Sequence, residues 1–381
     1  MPRQPDEILF MRLALTLARR ASGQTSPNPL VGAVLLKNGE IIGRGWHRQA
    51  GGPHAEIEAI RDAQKKKQNT RGATLFVSLE PCCTHGRTPP CTDAIIAAGI
   101  KRVVVAAVDP NPKHRGKGLK ILRRAGIFIE SGLGAEEAAR LNETFNHWIV
   151  RRTPFVIVKA AMSLDGKIAT VSGESKWITG EKARAYGMKL RQNADAILVG
   201  VNTVLKDDPS LTFRTRTAER GARDGKQLRR IVLDPNARTP LTARVVSDEF
   251  AHLTMMVVTQ RAPKKRIAAL AKKVRVLIAP ELRSTIRNSQ SAIDLRWLLK
   301  KLGGEDVTSL LVEGGGETNA SFLLQRLAHR VAFFYAPIVL GGRNAPKGVA
   351  GEGILHLAEK ISLRDVELRK LGSDLLLTAL L

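Results

Sequence analysis

The chain has 381 residues, which is too long for one typical hydrophobic core, and its 43% hydrophobic and 25% charged content excludes an intrinsically disordered protein. No apolar run approaches the ~20 residues of a membrane span, and no secretory segment is recognisable, so we expect a cytoplasmic protein. The formal net charge of +26 attracts anionic ligands and is compatible with nucleic acid. However, the basic residues are spread along the chain and aromatic residues make up only 4%, which favours a generally basic surface.

The first 150 residues alternate between helical and strand patterns. An amphipathic helix opens the chain near Ile8, and strands at 31–36 and 41–45 flank Asn38-Gly39, a strong hairpin signal. The elements that follow along the chain are a helix from His54 to about Lys66, strand 73–79, a helix from Thr92, strand 102–108, helix 116–125 and a closing helix 135–150. This alternation predicts an α/β domain at 1–150, followed by a linker at 151–154.

The remaining residues, 151–381, form a second α/β series. Its predicted strands are 155–161, 196–200, 230–233, 254–258, 274–278, 309–312 and 331–340, and its predicted helices are 181–192, 292–302 and 318–327. A polar, basic loop is predicted at 201–229. We therefore expect two domains, 1–150 and 151–381.

Three residues of the first domain have the chemistry of zinc ligands: His54, Cys82 and Cys91. Three protein ligands and a water make a catalytic zinc, whereas four protein ligands make a structural one. Glu56, two residues beyond the histidine, can handle protons for that water, and the His-x-Glu and Pro-Cys pattern is typical of zinc-dependent base deaminases. Residues i and i+2 do not share a helix face, so His54 and Glu56 can converge only where the chain enters a helix.

Three other interpretations of these residues stay open on the motif alone. Cys83 or His85 could supply a fourth ligand and close a structural site, but Glu56 would then have no role. A disulfide would leave one of three cysteines over. His54 alone could be an ordinary partly buried histidine. The combination of residues favours the catalytic site.

Eight residues separate Cys82 from Cys91, where the general deaminase pattern has two residues between its cysteines. This stretch is polar and contains Gly86 and a Pro-Pro pair, which predicts a shaped loop. Arg87 within it has the planar guanidinium that suits a phosphate.

In the second domain the sharpest feature is an apolar strand that ends in Glu313 and three glycines before a helix. Such a turn can bind phosphate through free N–H groups, but a tight strand-to-helix turn explains it equally well, because Asn319 stands where the dinucleotide fingerprint has its third glycine. Polar loops also follow the strands that end near Ala161 and Gly200. Three such loops predict a ligand crevice along one sheet edge.

The chain resembles the bifunctional deaminase–reductase family of riboflavin biosynthesis over almost its full length. The segments that carry the resemblance are 26–34, 51–56, 80–82, 85–91, 109–112, 163–166, 175–180 and 313–316. The long loop between the cysteines is a feature of that family. The resemblance implies a cytidine-deaminase-like three-layer domain followed by a dihydrofolate-reductase-like α/β domain, with Zn²⁺ and NADPH as cofactors.

The resemblance also implies the reactions. The first domain would deaminate the 2-amino group of 2,5-diamino-6-ribosylamino-4(3H)-pyrimidinone 5′-phosphate. The second would use NADPH to reduce the ribosyl chain, giving 5-amino-6-(5-phosphoribitylamino)uracil.

Site residues follow by matching position. His54, Cys82 and Cys91 would hold zinc, with Glu56 as the proton shuttle, and Lys159 and Asp207 would be catalytic in the second domain. NADPH would meet Ala161, Trp177, Thr203, Asp207, Gly315, Gly316, Glu317, Thr318, Asn319, Ala320 and Ser321. The substrates would meet Asn28, Arg87, Ser175, Arg191, Leu211, Arg214 and Glu313.

Two rival functions are compatible with the same residues. The zinc motif and the net charge also suit a nucleic-acid base deaminase with an accessory domain, or a zinc-stabilised RNA-binding protein without catalysis. A second domain of roughly 230 residues with its own crevice weighs against the nucleic-acid base deaminase. We expect a small phosphoribosyl pyrimidine substrate, no nucleic-acid or membrane partner, and a homodimer formed through the reductase domain.

Overall fold

A computed structural model of the chain describes residues 5–85, 89–213, 228–280 and 293–381. The chain divides into two compact units, Met1–Arg152 and Thr153–Leu381. No helix among the described residues is both long enough and apolar enough to cross a bilayer.

The first unit is built on a five-stranded sheet with the strand order β2-β1-β3-β4-β5. Its strands are β1 (Gly32–Lys37), β2 (Glu40–Trp46), β3 (Thr74–Leu79), β4 (Arg102–Ala107) and β5 (Phe128–Ser131). Its helices are α1 (Pro5–Arg19), α2 (Ala55–Lys65), α3 (Cys91–Ala97), α4 (Lys117–Arg124), α5 (Ala135–Leu141) and α6 (Glu143–Arg151). β1 pairs antiparallel with β2 and with β3, whereas β3, β4 and β5 are parallel.

The β1–β2 hairpin is confirmed. Asn38 and Gly39 both have positive φ, 51° and 82°, which is the backbone of the turn that their sequence favours. One face of the sheet packs against α2, α3 and α4 in a core that includes Leu75 and Val103. The other face packs against α1 and α5 around Phe76. The sheet is therefore the middle of three layers.

The second unit is built on a nine-stranded sheet with the order β10-β9-β8-β7-β11-β6-β12-β14-β13. Its strands are β6 (Phe155–Ser163), β7 (Ala196–Gly200), β8 (Arg229–Leu233), β9 (Thr254–Val258), β10 (Arg275–Ile278), β11 (Ser309–Val312), β12 (Arg330–Ala336), β13 (Arg364–Leu371) and β14 (Asp374–Leu380). Its helices are α7 (Glu181–Asn193), α8 (Val201–Asp207), α9 (Arg244–Ser247), α10 (Lys264–Ala271), α11 (Leu295–Gly304) and α12 (Gly316–Leu324), with short 3₁₀ turns at Ala251–Leu253 and Leu357–Glu359.

Strand β11 lies between β6 and β7 and is parallel to both. The chain first runs from β6 outward through β7 to β10, then returns to insert β11 and continues on the other side of β6 with β12. The order therefore reverses beside β11, and the segments that follow β6, β7 and β11 leave the same edge of the sheet. Ligands of open α/β sheets bind at such a reversal.

Several sequence predictions differ from the structure. The closing helix 135–150 is two helices separated at Asn142, whose side-chain amide bonds both the N–H and the C=O of Leu30 at 2.7 and 2.9 Å. The loop predicted from Val201 begins with helix α8, and the strand predicted to reach residue 340 ends at Ala336. The rest of that loop, 214–227, lies outside the described residues.

The strands β5, β13 and β14 were not predicted, and neither were the helices α8, α9 and α10. β5 has only four residues, and every residue of β13 except the last is exposed, so neither carries a clear apolar alternation. Pairing with a neighbouring strand, rather than local sequence, decides these segments.

The close approach of β2 to α2 depends on glycine. A Cβ atom at Gly45 would overlap the carbonyl oxygen of Ala55 and the amide nitrogen of Ala59. Because α2 begins beside His54, Gly45 also determines where the metal-binding end of that helix lies.

We predict that Gly45→Ala lowers the free energy of unfolding of the first unit by about 1–3 kcal/mol, because a methyl group must displace backbone atoms of α2. Urea-induced unfolding followed by circular dichroism measures the change. Gly187→Ala is the matched control, since Gly187 has open space around it in α7 and alanine should be neutral or stabilising there. A midpoint for Gly45→Ala equal to that of the wild type would contradict the constraint.

Candidate active sites

The three predicted metal ligands come together. His54 Nδ1, Cys82 Sγ and Cys91 Sγ lie within 4.8 Å of one another. The imidazole nitrogen is 3.4 Å from the sulfur of Cys82 and 3.3 Å from that of Cys91. Cys82 lies in the loop after β3, and Cys91 is the first residue of α3. One imidazole and two thiols are a donor set that fits zinc.

Helix α2 places the histidine and the glutamate together. His54 is extended and directly precedes α2, with φ −75° and ψ 163°, and Glu56 lies in the first turn. Glu56 is only 3% exposed, and this burial raises the pKa of its carboxyl group. A carboxyl group of raised pKa beside a metal centre is suited to accept and return a proton.

The two thiols influence each other. The hydrogen bond with Cys91 lowers the pKa of Cys82 to about 4, and the same hydrogen bond, together with burial, raises the pKa of Cys91. The Cys91 N–H also donates to the Cys82 sulfur at 3.4 Å. A sulfur that is readily deprotonated is ready to bind a cation.

No fourth ligand joins the group among the residues that the structure describes. Cys83, which could have closed the site, has its sulfur 3.7 Å from Nδ1 of His114 instead. The geometry favours three protein ligands, the number found in catalytic zinc sites.

A second histidine, which the sequence analysis missed, packs beside the ligands. The ring of His47 contacts that of His54 edge-on, with 5.3 Å between centroids. Its Nδ1 is 3.0 Å from the carbonyl oxygen of Pro53, and its Nε2 is 3.1 Å from Nδ2 of Asn28, so Nδ1 donates and Nε2 accepts. Burial lowers the pKa of His47, which agrees with this neutral form. No sequence motif marks His47, so its position beside the metal ligands could be recognised only from the structure.

In the second unit, Glu313 forms the centre of an ion-pair network. Its Oε1 is 2.9 Å from Nε of Arg191, and its Oε2 is 2.9 Å from Nη2 of Arg191 and 3.5 Å from Nζ of Lys159. Burial by itself raises the pKa of Glu313, but the charges of Lys159 and Arg191 outweigh it and hold the pKa at about 2. Two residues predicted to bind substrate and one predicted to be catalytic therefore meet directly.

The glycine run fits a phosphate-bearing cofactor at one position in particular. A Cβ at Gly314 or at Gly200 would overlap Thr318, and one at Gly316 would overlap the carbonyl oxygen of Lys347, so these glycines serve packing. Gly315 instead has open space around it and directly precedes α12. A helix N-terminus with open space beside it suits a phosphate.

The other residues predicted to meet NADPH are less uniform. Asn319, Ala320 and Ser321 are buried, and the Asn319 amide donates to the carbonyl oxygen of Gly348 at 2.8 Å. Trp177 is 72% exposed, with the guanidinium of Arg184 4.7 Å from its ring centroid.

The remaining predicted residues lie on β6, on α8, before α7 or after α8, or fall outside the described residues. Ala161 follows Lys159 on β6, and Thr203 and the exposed Asp207 lie on α8, after β7. Ser175 is half-buried in the segment that precedes α7. Leu211 packs in a hydrophobic core, so a ligand could meet only its main chain. Arg87 and Arg214 lie outside the described residues.

Comparison with known proteins covers both units. Residues 5–107 match the cytidine and deoxycytidylate deaminase zinc-binding region, and residues 154–377 match the RibD C-terminal domain. The chain is 44% identical to the riboflavin biosynthesis protein RibD of Aquifex aeolicus, over 97% of this chain and 96% of that protein. It is 38% identical to RibD of Escherichia coli, over 97% of each chain.

The chain belongs to the RibD family. Among solved structures, RibD of Acinetobacter baumannii superposes with a TM-score of 0.83 at 33% identity, over 98% of each chain. A diaminohydroxyphosphoribosylaminopyrimidine deaminase/5-amino-6-(5-phosphoribosylamino)uracil reductase from Thermotoga maritima superposes with a TM-score of 0.81 at 35% identity, again over 98% of each chain.

Family membership confirms the predicted fold class, a cytidine-deaminase-like α/β domain followed by the reductase domain of RibD. It also confirms the predicted enzyme class: the chain is a bifunctional deaminase and reductase of riboflavin biosynthesis. Its cofactors are zinc and NADPH, as predicted.

The pKa of Glu313 predicts a pH dependence of stability. Because this pKa lies below the ordinary value of 4.5, ionised Glu313 stabilises the fold above that value, and the contribution is lost as the pH falls through about 2. Glu313→Gln should lower the free energy of unfolding of the second unit by about 3–5 kcal/mol at pH 7, since it leaves the partly buried cations Lys159 and Arg191 without their carboxylate. The difference from wild type should shrink as the pH falls below 4.5.

Urea titrations at stepped pH values measure this difference. The exposed Glu174 provides the control, since Glu174→Gln should change the free energy of unfolding by less than about 0.5 kcal/mol at every pH. A difference for Glu313→Gln that stays constant with pH would show that the network does not depend on ionised Glu313.

Proposed function

We propose that the first unit deaminates 2,5-diamino-6-ribosylamino-4(3H)-pyrimidinone 5′-phosphate and that the second unit then reduces the ribosyl group with NADPH to give 5-amino-6-(5-phosphoribitylamino)uracil. The single observation that carries the first reaction is the meeting of His54, Cys82 and Cys91 beside the buried Glu56. The relative from Thermotoga maritima, which is named for both reactions, supports the substrate assignment.

In the deamination, zinc held by the three ligands supplies Lewis acidity toward a water molecule. Glu56 accepts a proton from the water and delivers it to the departing ammonia, and its raised pKa suits both halves of this transfer. Asn28 would hold the substrate. Its side-chain N–H₂ donates to His47, which sets the orientation of the amide. Arg87 would meet the substrate phosphate.

In the reduction, NADPH supplies the hydride, and the chain orients donor and acceptor. Lys159 stands on β6 beyond the end of β11, held by Glu313 and close to the glycine run. We assign Lys159 as the residue that stabilises charge on the reacting ribosyl group and Asp207 as its catalytic partner. The remaining contacts follow the family pattern: Ser175, Arg191, Leu211, Arg214 and Glu313 to substrate, and Ala161, Trp177, Thr203, Asp207 and residues 315–321 to NADPH.

We predict that Glu56→Gln lowers zinc-dependent ammonia release by at least about 10²-fold, because an amide cannot carry the proton. Zinc content and the reduction of already deaminated substrate should be unchanged. Ammonia and NADPH consumption are followed in the same assay. Glu58→Gln is the matched control: it lies two residues along the same helix, pairs with Arg48 and Arg61 at the surface, and should leave ammonia release intact.

The rival functions are separate outcomes of this assay. Ammonia released from an RNA stem-loop but not from the pyrimidine phosphate would indicate a nucleic-acid base deaminase. Zinc-dependent RNA binding without ammonia release would indicate an RNA-binding protein. Full activity of Glu56→Gln would contradict the role of Glu56.

We further propose a homodimer formed through β13. This strand lies at one edge of the large sheet, and Val366 and Leu368 on it are 53% and 69% exposed. An exposed edge strand with apolar side chains is a template for pairing with a second copy.

The double variant Val366→Glu, Leu368→Glu should convert a two-copy mass into a one-copy mass in light scattering, because it places like charges together across the paired edges. Phe128→Glu, on the exposed edge strand β5 of the other sheet, is the control and should keep the two-copy mass. A one-copy mass for the wild type would contradict the proposal.

A cytoplasmic location is also proposed. The three cysteines are free thiols, and two of them are needed as metal ligands, which favours a reducing compartment. Cell fractionation that recovers the protein outside the cytoplasm would contradict this location.

A further inference from the structure

A buried glutamate that takes no part in the chemistry stands next to the metal-binding loop. Glu80 directly follows β3 and precedes Pro81 and Cys82, and it is 4% exposed. A buried carboxyl group is costly unless hydrogen bonds satisfy its oxygens. The hydrogen-bond partners of Glu80 therefore indicate its structural role.

Both carboxyl oxygens of Glu80 accept main-chain N–H groups from one segment. Oε1 accepts from Gly118 at 3.0 Å, and Oε2 accepts from Gly116 at 2.9 Å and from Asp109 at 3.2 Å. These three donors span the loop between β4 and α4 and the first turn of α4. We call Glu80 with these three N–H groups the Glu80 clamp.

Two further contacts hold the same segments together. Gly118 packs so closely on the carbonyl oxygen of Pro81 that a Cβ atom there would overlap it. The ring of His114 lies 3.7 Å from the sulfur of Cys83 and 3.5 Å from Oγ1 of Thr84. The chain on both sides of Cys82 is thus held against the 109–118 segment.

Cys82 needs this support because no regular structure holds it. It lies in irregular chain between β3 and α3, whereas His54 adjoins α2 and Cys91 opens α3. The main-chain carbonyl of Cys82 accepts the Thr92 N–H at 3.2 Å, which ties it to α3 on one side only. On the other side, only Pro81 separates Cys82 from Glu80.

We propose that Glu80 is a positioning residue of the metal centre, which holds the Cys82 sulfur where His54 and Cys91 meet it. This inference rests on the metal centre of the proposed function. Among the described residues, the hydrogen bonds of Glu80 reach no metal-ligand atom, so it acts through the path of the main chain. Groups that orient metal ligands in this way change metal affinity by about 10–100-fold when they are replaced.

Glu80→Gln is the primary test, since it keeps the shape of the side chain but turns one oxygen into a donor. In either orientation the new N–H₂ faces a main-chain N–H, which breaks the clamp. We expect the zinc affinity, measured by competition with a chromophoric chelator in the absence of substrate, to fall by about 10–100-fold. NADPH-dependent reduction by the same chain should stay at the wild-type rate and reports an intact second unit.

Gly118→Ala tests the same geometry without changing the carboxyl group. Its methyl group pushes on the carbonyl of Pro81, so the zinc affinity should fall in the same direction. Leu15→Ala is the control for stability: Leu15 is fully buried between α1 and the opposite face of the sheet. This variant should lower the melting temperature of the first unit while its zinc affinity stays within about twofold of wild type.

The spectrum of the cobalt-substituted protein gives an independent reading of the sulfur position. The thiolate-to-cobalt absorption should change in Glu80→Gln and in Gly118→Ala but not in Leu15→Ala. Zinc affinity and cobalt spectrum equal to wild type in Glu80→Gln would overturn the proposal, and so would an equal loss of zinc affinity in Leu15→Ala. If Glu80→Gln leaves the first unit unfolded, Gly118→Ala decides by the same two measurements.

The zinc affinities and the cobalt spectra are measured without substrate, so they separate this inference from the proposed function. A wrong substrate assignment would leave the zinc affinities as expected here. Loss of ammonia release in Glu56→Gln together with unchanged zinc affinity in Glu80→Gln would overturn only the role of Glu80.

Discussion

The deaminase unit depends on bringing one imidazole and two sulfurs to a single point. His54 and Cys91 stand at or beside the starts of two helices, so packing of α2 and α3 on the sheet determines their positions. Close packing in turn requires the absence of a side chain at Gly45, where β2 meets α2. The absence of a Cβ atom at Gly45 on β2 thereby affects the position of the metal-binding end of α2.

The two sites use burial of a carboxyl group in opposite ways. Glu56 is buried among groups that leave its pKa raised, which favours the protonated form of its carboxyl group. Glu313 is buried against Lys159 and Arg191, and its pKa is held at about 2. Glutamate is thus suited to carry a proton in the first unit and to act as a fixed negative charge in the second, because the local cations differ.

The glycine run shows how one motif divides into different roles. Sequence reasoning left open whether it binds phosphate or only makes a tight turn. In the structure, Gly314 and Gly316 are required by packing against Thr318 and Lys347, while Gly315 has open space at the start of α12. Both interpretations therefore apply, each to different residues.

The metal ligands and Glu56 could be predicted from sequence, because zinc accepts few donor types and the residues stand in a recognisable order. Most helices and strands could be predicted too, since apolar periodicity is local. His47, the break at Asn142 and the hairpin of β13 and β14 could not, because each depends on a partner distant in the chain or on strand pairing.

What residue order alone determined was the chemistry that the molecule can perform: which donors, acids and turn-forming glycines are present. Tertiary contacts decided where these groups stand and in which ionisation state, because desolvation and neighbouring charge are properties of a folded environment. The Glu80 clamp belongs to this second kind, since its three N–H donors lie about 30 to 40 positions away and meet the carboxyl group only when β4 and β3 pair.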